Sequence, residues 1–130
     1  MSEEKYSELE ESGFQGKKVL TIVGGHFVHD TYSAFLAPLL PLLIEKLSLT
    51  LTLAGTLTAF MQAPGLLNPL IGRLADKSNV RNFVVFAPAV TGTLMSAMGI
   101  MPNYYALIVL LVFAGTSVAA FHAPAPAMVA

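Results

Sequence analysis

The chain has 130 residues, 55% of them hydrophobic and 12% charged, with a formal net charge of −1 and no cysteine. A soluble domain carries about twice that charged fraction, and a nucleic-acid binder would show a basic stripe, so neither class fits. The missing cysteines exclude disulfides and thiolate metal sites.

The charges are clumped. Glu3, Glu4, Glu8, Glu10 and Glu11 crowd the first eleven residues, only Asp30, Glu45 and Lys46 lie between Lys18 and Arg73, and none follows Arg81. Charge confined to tails and loops is the pattern of a membrane protein. Residues 1–17 are polar and acidic, without the basic start and short apolar core of a signal peptide. They read as a tail. The segment 18–130 reads as four transmembrane helices.

The first apolar span runs from about residue 19 to 44 and ends at Glu45-Lys46; the second covers about 51–74 and ends at Asp76-Lys77. The third covers about 82–101 and ends at Pro102-Asn103; the fourth covers about 104–128. Each approaches the roughly 20 helical residues that cross a bilayer. None shows the polar face of a soluble core helix, or the ten-residue alternation of a membrane β-barrel. The expected class is therefore an all-α membrane protein.

Lys5, Lys17 and Lys18 in the tail join Arg73, Lys77 and Arg81 between spans two and three, against Lys46 alone on the other side. Six against one puts the N-terminus and the second loop in the cytoplasm of a multi-pass protein. Tyr104 and Tyr105 then suit an aromatic belt on the outer face.

Span one holds "GGHFVHD", Gly24 to Asp30. At 100° per residue His26, His29, Asp30 and Ser33 fall at about 0°, −60°, 40° and −20°, a single polar stripe. Asp30 lies 12 residues beyond Lys18, or roughly 18 Å of helix rise, near mid-membrane. Burying an aspartate there costs roughly 2.5–3.5 kcal/mol on insertion scales, so the stripe should face a bundle interior or a wet cavity. Four uses compete. A metal site suits His26, His29 and Asp30, but it needs further ligands and only His122 remains. A membrane di-iron enzyme needs more histidine boxes than one. A structural use pairs His26 with Asp30 at i,i+4. A transport use makes Asp30 the proton or substrate site, tuned by His26. No metal and no cofactor is assigned. Gln62 and Asn68 in span two, and His122 in span four, either line a cavity or join helices; Thr58 shares a face with Gln62. Gly55, Gly65, Gly92, Gly99 and Gly115 read as close-packing positions, and the many prolines as kinks that neighbouring helices can satisfy. No phosphate loop, Ser/His/Asp set or dinucleotide fingerprint marks an enzyme.

The second loop, "GRLADKSNVR", has Gly72, Leu74, Asp76, Lys77 and Arg81 at the spacing of the signature loop between helices two and three of the major facilitator superfamily, and the chain resembles that family from about Lys18 to Ala130. Asn79 and Val80 depart from the pattern, where glycine and a basic residue are commoner. Gly72 can allow close helix approach. Asp76 can bond to a neighbouring helix start or pair with Arg81. Gly25-His26, Asp30 and Phe121-His122 resemble the fosmidomycin-resistance branch, although His29 stands where asparagine is commoner and Ala123-Pro124 replaces a proline and an acid. Span four lacks the arginine of many drug/proton antiporters.

The resemblance implies a secondary transporter of about twelve helices, working by alternating access and exporting small molecules or drugs against proton entry. Its partners would be lipid, substrate, the proton and the remaining helices, with no nucleic acid. Such folds repeat in threes, so the four spans read as an N-terminal fragment. The alternatives are a complete four-helix small multidrug exporter acting as a dimer, and a non-transporting membrane scaffold.

Overall fold

A computed structural model describes residues 16–77 and 80–123. Among these residues all regular structure is helical: α1 (Gly16–Ser33), α2 (Leu36–Leu47), α3 (Leu51–Gln62), α4 (Asn68–Asp76), α5 (Val80–Ser96) and α6 (Tyr104–His122), with 3₁₀ turns at Ala63–Leu67 and Ala97–Ile100. The all-α expectation holds. Of the 1–17 tail, residues 1–15 lie outside the described residues, as do Pro124 and Pro126.

The six helices form four spans because proline interrupts rather than ends them. Span one breaks at Ala34-Phe35, between α1 and α2. Pro38 has no N–H to give the Ala34 carbonyl, and its ring crowds that carbonyl. The chain bridges the gap with Phe35 N–H to Tyr32 O at 3.1 Å and Leu39 N–H to Phe35 O at 3.2 Å. In span two, Pro64 and Pro69 remove the bonds to Phe60 and Gly65, and a 3₁₀ segment replaces the α-helix between them. Pro88 stays inside α5.

The loop after α2 is closed by Ser48, left-handed at φ 50°, whose N–H reaches Glu45 O while Leu49 N–H reaches Ile44 O. Thr50 and Asn103 cap the following starts, accepting from Leu53 N–H at 3.2 Å and Ala106 N–H at 2.9 Å.

Val19–Leu47 and Tyr104–His122 are long and apolar enough to cross a membrane by themselves, and Val84–Ile100 is apolar but shorter. Span two does not reach that apolarity, because Gln62, Asn68 and its threonines dilute it.

α6 is the central helix, touching α1, α3, α4, α5 and the 3₁₀ segment of span two, while α1 also packs on α5 and α2 on α3. The half of the bundle away from the N-terminus holds the larger core: Leu36, Leu43, Leu57, Met95, Met98, Leu107, Leu111 and Ala114. Lys46 Nζ donates to Gly99 O across that end, and the Thr56 and Tyr104 hydroxyls bond to each other. The other half has a small cluster of Val84, Ala87 and Phe121. A buried polar chain ties α5 to α6: Thr91 Oγ1 donates to Ser117 Oγ (2.9 Å), and Ser117 Oγ donates to Ala87 O (3.1 Å).

The glycine expectation needs correcting. Of the glycines singled out, Gly115 is a close-packing position, since a Cβ there would overlap the Met61 carbonyl; a Cβ on Gly92 would meet the Tyr32 ring at 3.6 Å, an ordinary contact. Gly55, Gly65, Gly99 and Gly72 have nothing within 4 Å of a built Cβ, so no close helix approach occurs at them among the described residues. Gly55 and Gly99 are exposed, and Gly65 lines a cavity.

Candidate functional site

The polar stripe of α1 meets the end of α6. Spans one and four run antiparallel, so Gly24–Asp30 lies beside Phe121-His122. Asp30 takes a different imidazole on each carboxylate oxygen: His26 Nε2 is 3.2 Å from Oδ2, and His122 Nε2 is 3.3 Å from Oδ1. The His26 contact is within one helix turn; the His122 contact joins α1 to α6. The three side chains are 43%, 51% and 36% exposed for His26, Asp30 and His122. The carboxylate is therefore reachable as well as paired.

His29 is different. It is fully buried, stacked on Phe121 with ring centroids 4.2 Å apart, and edge-on to His122 at 5.4 Å. Neither of its ring nitrogens has a hydrogen-bond partner among the described residues. An unmet buried polar group typically costs about 1–3 kcal/mol. His26 meets the edge of Phe121 at 5.3 Å and of His122 at 5.1 Å. Phe121 thus fills the space between the two α1 histidines and orients the ring that follows it.

His122 also faces a half-open cavity of about 440 Å³ between spans one, two and four. Ser33, Thr58, Gln62, Asn68 and His122 give it polar groups, and Leu36, Met61 and Val118 give it apolar wall. The 3₁₀ segment of span two makes this possible. It turns Gln62, Gly65 and Asn68 toward one space, and the glycine at 115 lets α6 approach the Met61 carbonyl closely. Ser33 Oγ donates back to Asp30 O at 2.9 Å, joining the cavity wall to the triad's own helix turn.

Of the residues singled out from sequence, His26, His29, Asp30 and His122 come together, and Gln62 lies across the cavity with His122. Asn68 and Thr58 line the same cavity. Of the second-loop residues, Gly72, Leu74 and Lys77 do not line it. Gly72 is half-buried; Arg73, Leu74 and Lys77 are exposed. The side chains of Asp76 and Arg81 lie outside the described residues, as does Ser78-Asn79 between them. The direct His122–Asp30 contact has no local signal, since 92 positions separate the two.

The Major Facilitator Superfamily model matches residues 22–130. No curated protein and no solved structure matches the chain. The match covers most of the chain, the four helical spans fit that family's all-α fold, and the chain belongs to the Major Facilitator Superfamily, a family of membrane transporters.

Proposed function

We propose that the chain serves proton-coupled export of small molecules across the cell membrane, with Asp30 as its proton-responsive group. The observation that carries this reading is the Asp30 carboxylate held between His26 of α1 and His122 of α6. A carboxylate shared by two imidazoles can take up or pass on a proton with little movement of heavy atoms. Because one imidazole sits on another span, the protonation state also changes what holds α1 to α6. Through His122 the same group faces a cavity whose amide, hydroxyl and apolar walls suit a small amphiphilic molecule.

The basic residues around spans two and three and in the tail support a cytoplasmic N-terminus and a cytoplasmic Lys77. A cysteine placed at Ser78 should then resist an impermeant thiol reagent in intact cells. Gly25-His26, Asp30 and Phe121-His122 are the residues that resemble the fosmidomycin-resistance branch. Their gathering around one carboxylate supports placing the substrate among drug-like compounds of that kind.

The coupling is tested in proteoliposomes that hold the chain together with the remaining helices of its transporter, a pH-sensitive dye and a panel of small amphiphilic drugs. The expected result is substrate-triggered proton movement opposite in direction to drug movement. Drug flux with no proton movement, at any imposed gradient, would overturn the coupling.

A further inference from the structure

We propose that His26, Asp30 and His122 form a binding site for a transition-metal dication of the zinc class. Each offers one donor atom, two imidazole nitrogens and one carboxylate oxygen, and these atoms all lie within 4.8 Å of one another. Ligand bonds of about 2.0–2.1 Å in a tetrahedron leave neighbouring donors roughly 3.3 Å apart. The nitrogen-to-oxygen separations here are 3.2 Å from His26 to Oδ2 and 3.3 Å from His122 to Oδ1, on the two oxygens of the one carboxylate, and the donor set as a whole is looser than the tetrahedron, within 4.8 Å. Rotation of these part-exposed side chains can bring the two nitrogens and one carboxylate oxygen to that spacing around an ion.

The donor set selects the ion. Two imidazoles and one carboxylate suit Zn²⁺, Co²⁺ or Ni²⁺. Mg²⁺ and Ca²⁺ prefer all-oxygen shells. Three protein donors leave a fourth position for water or another ligand, as in exchangeable zinc sites rather than closed structural ones. Access is consistent with exchange, because all three side chains are partly exposed and His122 borders the cavity. The helix helps as well: His26 and Asp30 sit one turn apart, so two ligands are preset by the backbone of α1, and α6 supplies the third.

His29 is not a ligand in this arrangement. It is buried against Phe121, and that stack fixes the residue preceding His122. The bound ion would tie span one to span four. The inference concerns the same three side chains as the proton reading but does not need it, since ion binding is measured without transport.

The test is calorimetric titration of ZnCl₂ into the purified protein in detergent, with any polyhistidine tag removed. Co²⁺ absorption serves as the second readout. The expected result is saturable binding of one ion per chain, a tetrahedral Co²⁺ spectrum, and no displacement by excess Mg²⁺. His26→Gln, His122→Gln and Asp30→Ala should each weaken Zn²⁺ binding by at least about tenfold, the low end of what loss of an outer-shell partner costs. Thr93→Ala, on the exposed side of α5, should not change it. Circular dichroism and size-exclusion profiles establish that each variant is folded. Absence of saturable binding in the parent protein would overturn the proposal, and so would undiminished binding in folded His26→Gln or His122→Gln. Zn²⁺ binding by the parent together with unaltered proton-coupled flux in Asp30→Asn would leave the metal site standing and remove the proton reading.

Discussion

Gly115→Ala places a methyl group where α6 crosses span two. Its Cβ would overlap the Met61 carbonyl oxygen, sit 2.9 Å from the Met61 carbonyl carbon and 3.2 Å from Pro64 Cγ. The first two are backbone atoms of α3, held by its helix, so no side-chain rotation relieves the overlap. α6 must move away by something on the order of 1 Å, and packed interiors resist such shifts. Overpacking of this kind costs about 1–3 kcal/mol, and a backbone obstacle belongs at the upper end. Roughly 2–3 kcal/mol corresponds to about a 30- to 150-fold shift in the unfolding equilibrium. Gly55→Ala is the matched control, because its Cβ meets nothing and its site is exposed; in a helix interior it should gain up to about 1 kcal/mol. The assay is loss of helicity on titration with a denaturing detergent, for both variants and the parent. Since Gly115 and Met61 line the cavity, Gly115→Ala should also weaken drug binding. Equal stability of Gly115→Ala and Gly55→Ala would refute the close crossing.

Ser117→Ala removes the hydroxyl that accepts from Thr91 and donates to Ala87 O; the same titration should show a loss of about 1 kcal/mol, within the range known for interhelical bonds in membranes. Ser48→Gly relieves a left-handed non-glycine residue, and should gain about 1 kcal/mol in the same assay. Asp76→Asn should lower transport while leaving expression intact, since this carboxylate is expected to bond to a neighbouring helix start or pair with Arg81. Flux in proteoliposomes, normalised to protein, checks it.

The helical class was legible because lipid leaves the backbone little choice and the charges stand between apolar runs. The break in span one was also legible in kind, since Pro38 must free the Ala34 carbonyl. Its place, and the 3₁₀ form of the break in span two, were not, because they depend on how neighbouring helices fill the gap. The stripe of His26, His29 and Asp30 follows from helical periodicity alone. What periodicity cannot tell is which histidine turns to the carboxylate. The structure gives that place to His26 and, from another span, to His122, and buries His29 on Phe121. The glycines show the same limit. Gly55 and Gly115 look alike in sequence, but only Gly115 stands at a crossing. Gln62 and Asn68 line one cavity from either end of the 3₁₀ segment between them.

The central claim, that Asp30 carries the coupling proton between His26 and His122, is tested most directly by Asp30→Asn in proteoliposomes, with the remaining helices of the transporter present. The substitution keeps the size of the side chain and removes its charge. With an imposed pH gradient, the parent should build a drug gradient and move protons in the opposite direction. Asp30→Asn should fold, bind drug in the cavity, and do neither, while His26→Ala should shift the pH dependence without abolishing flux. A proton-driven drug gradient in Asp30→Asn equal to that of the parent would contradict the account and remove the triad's proton role.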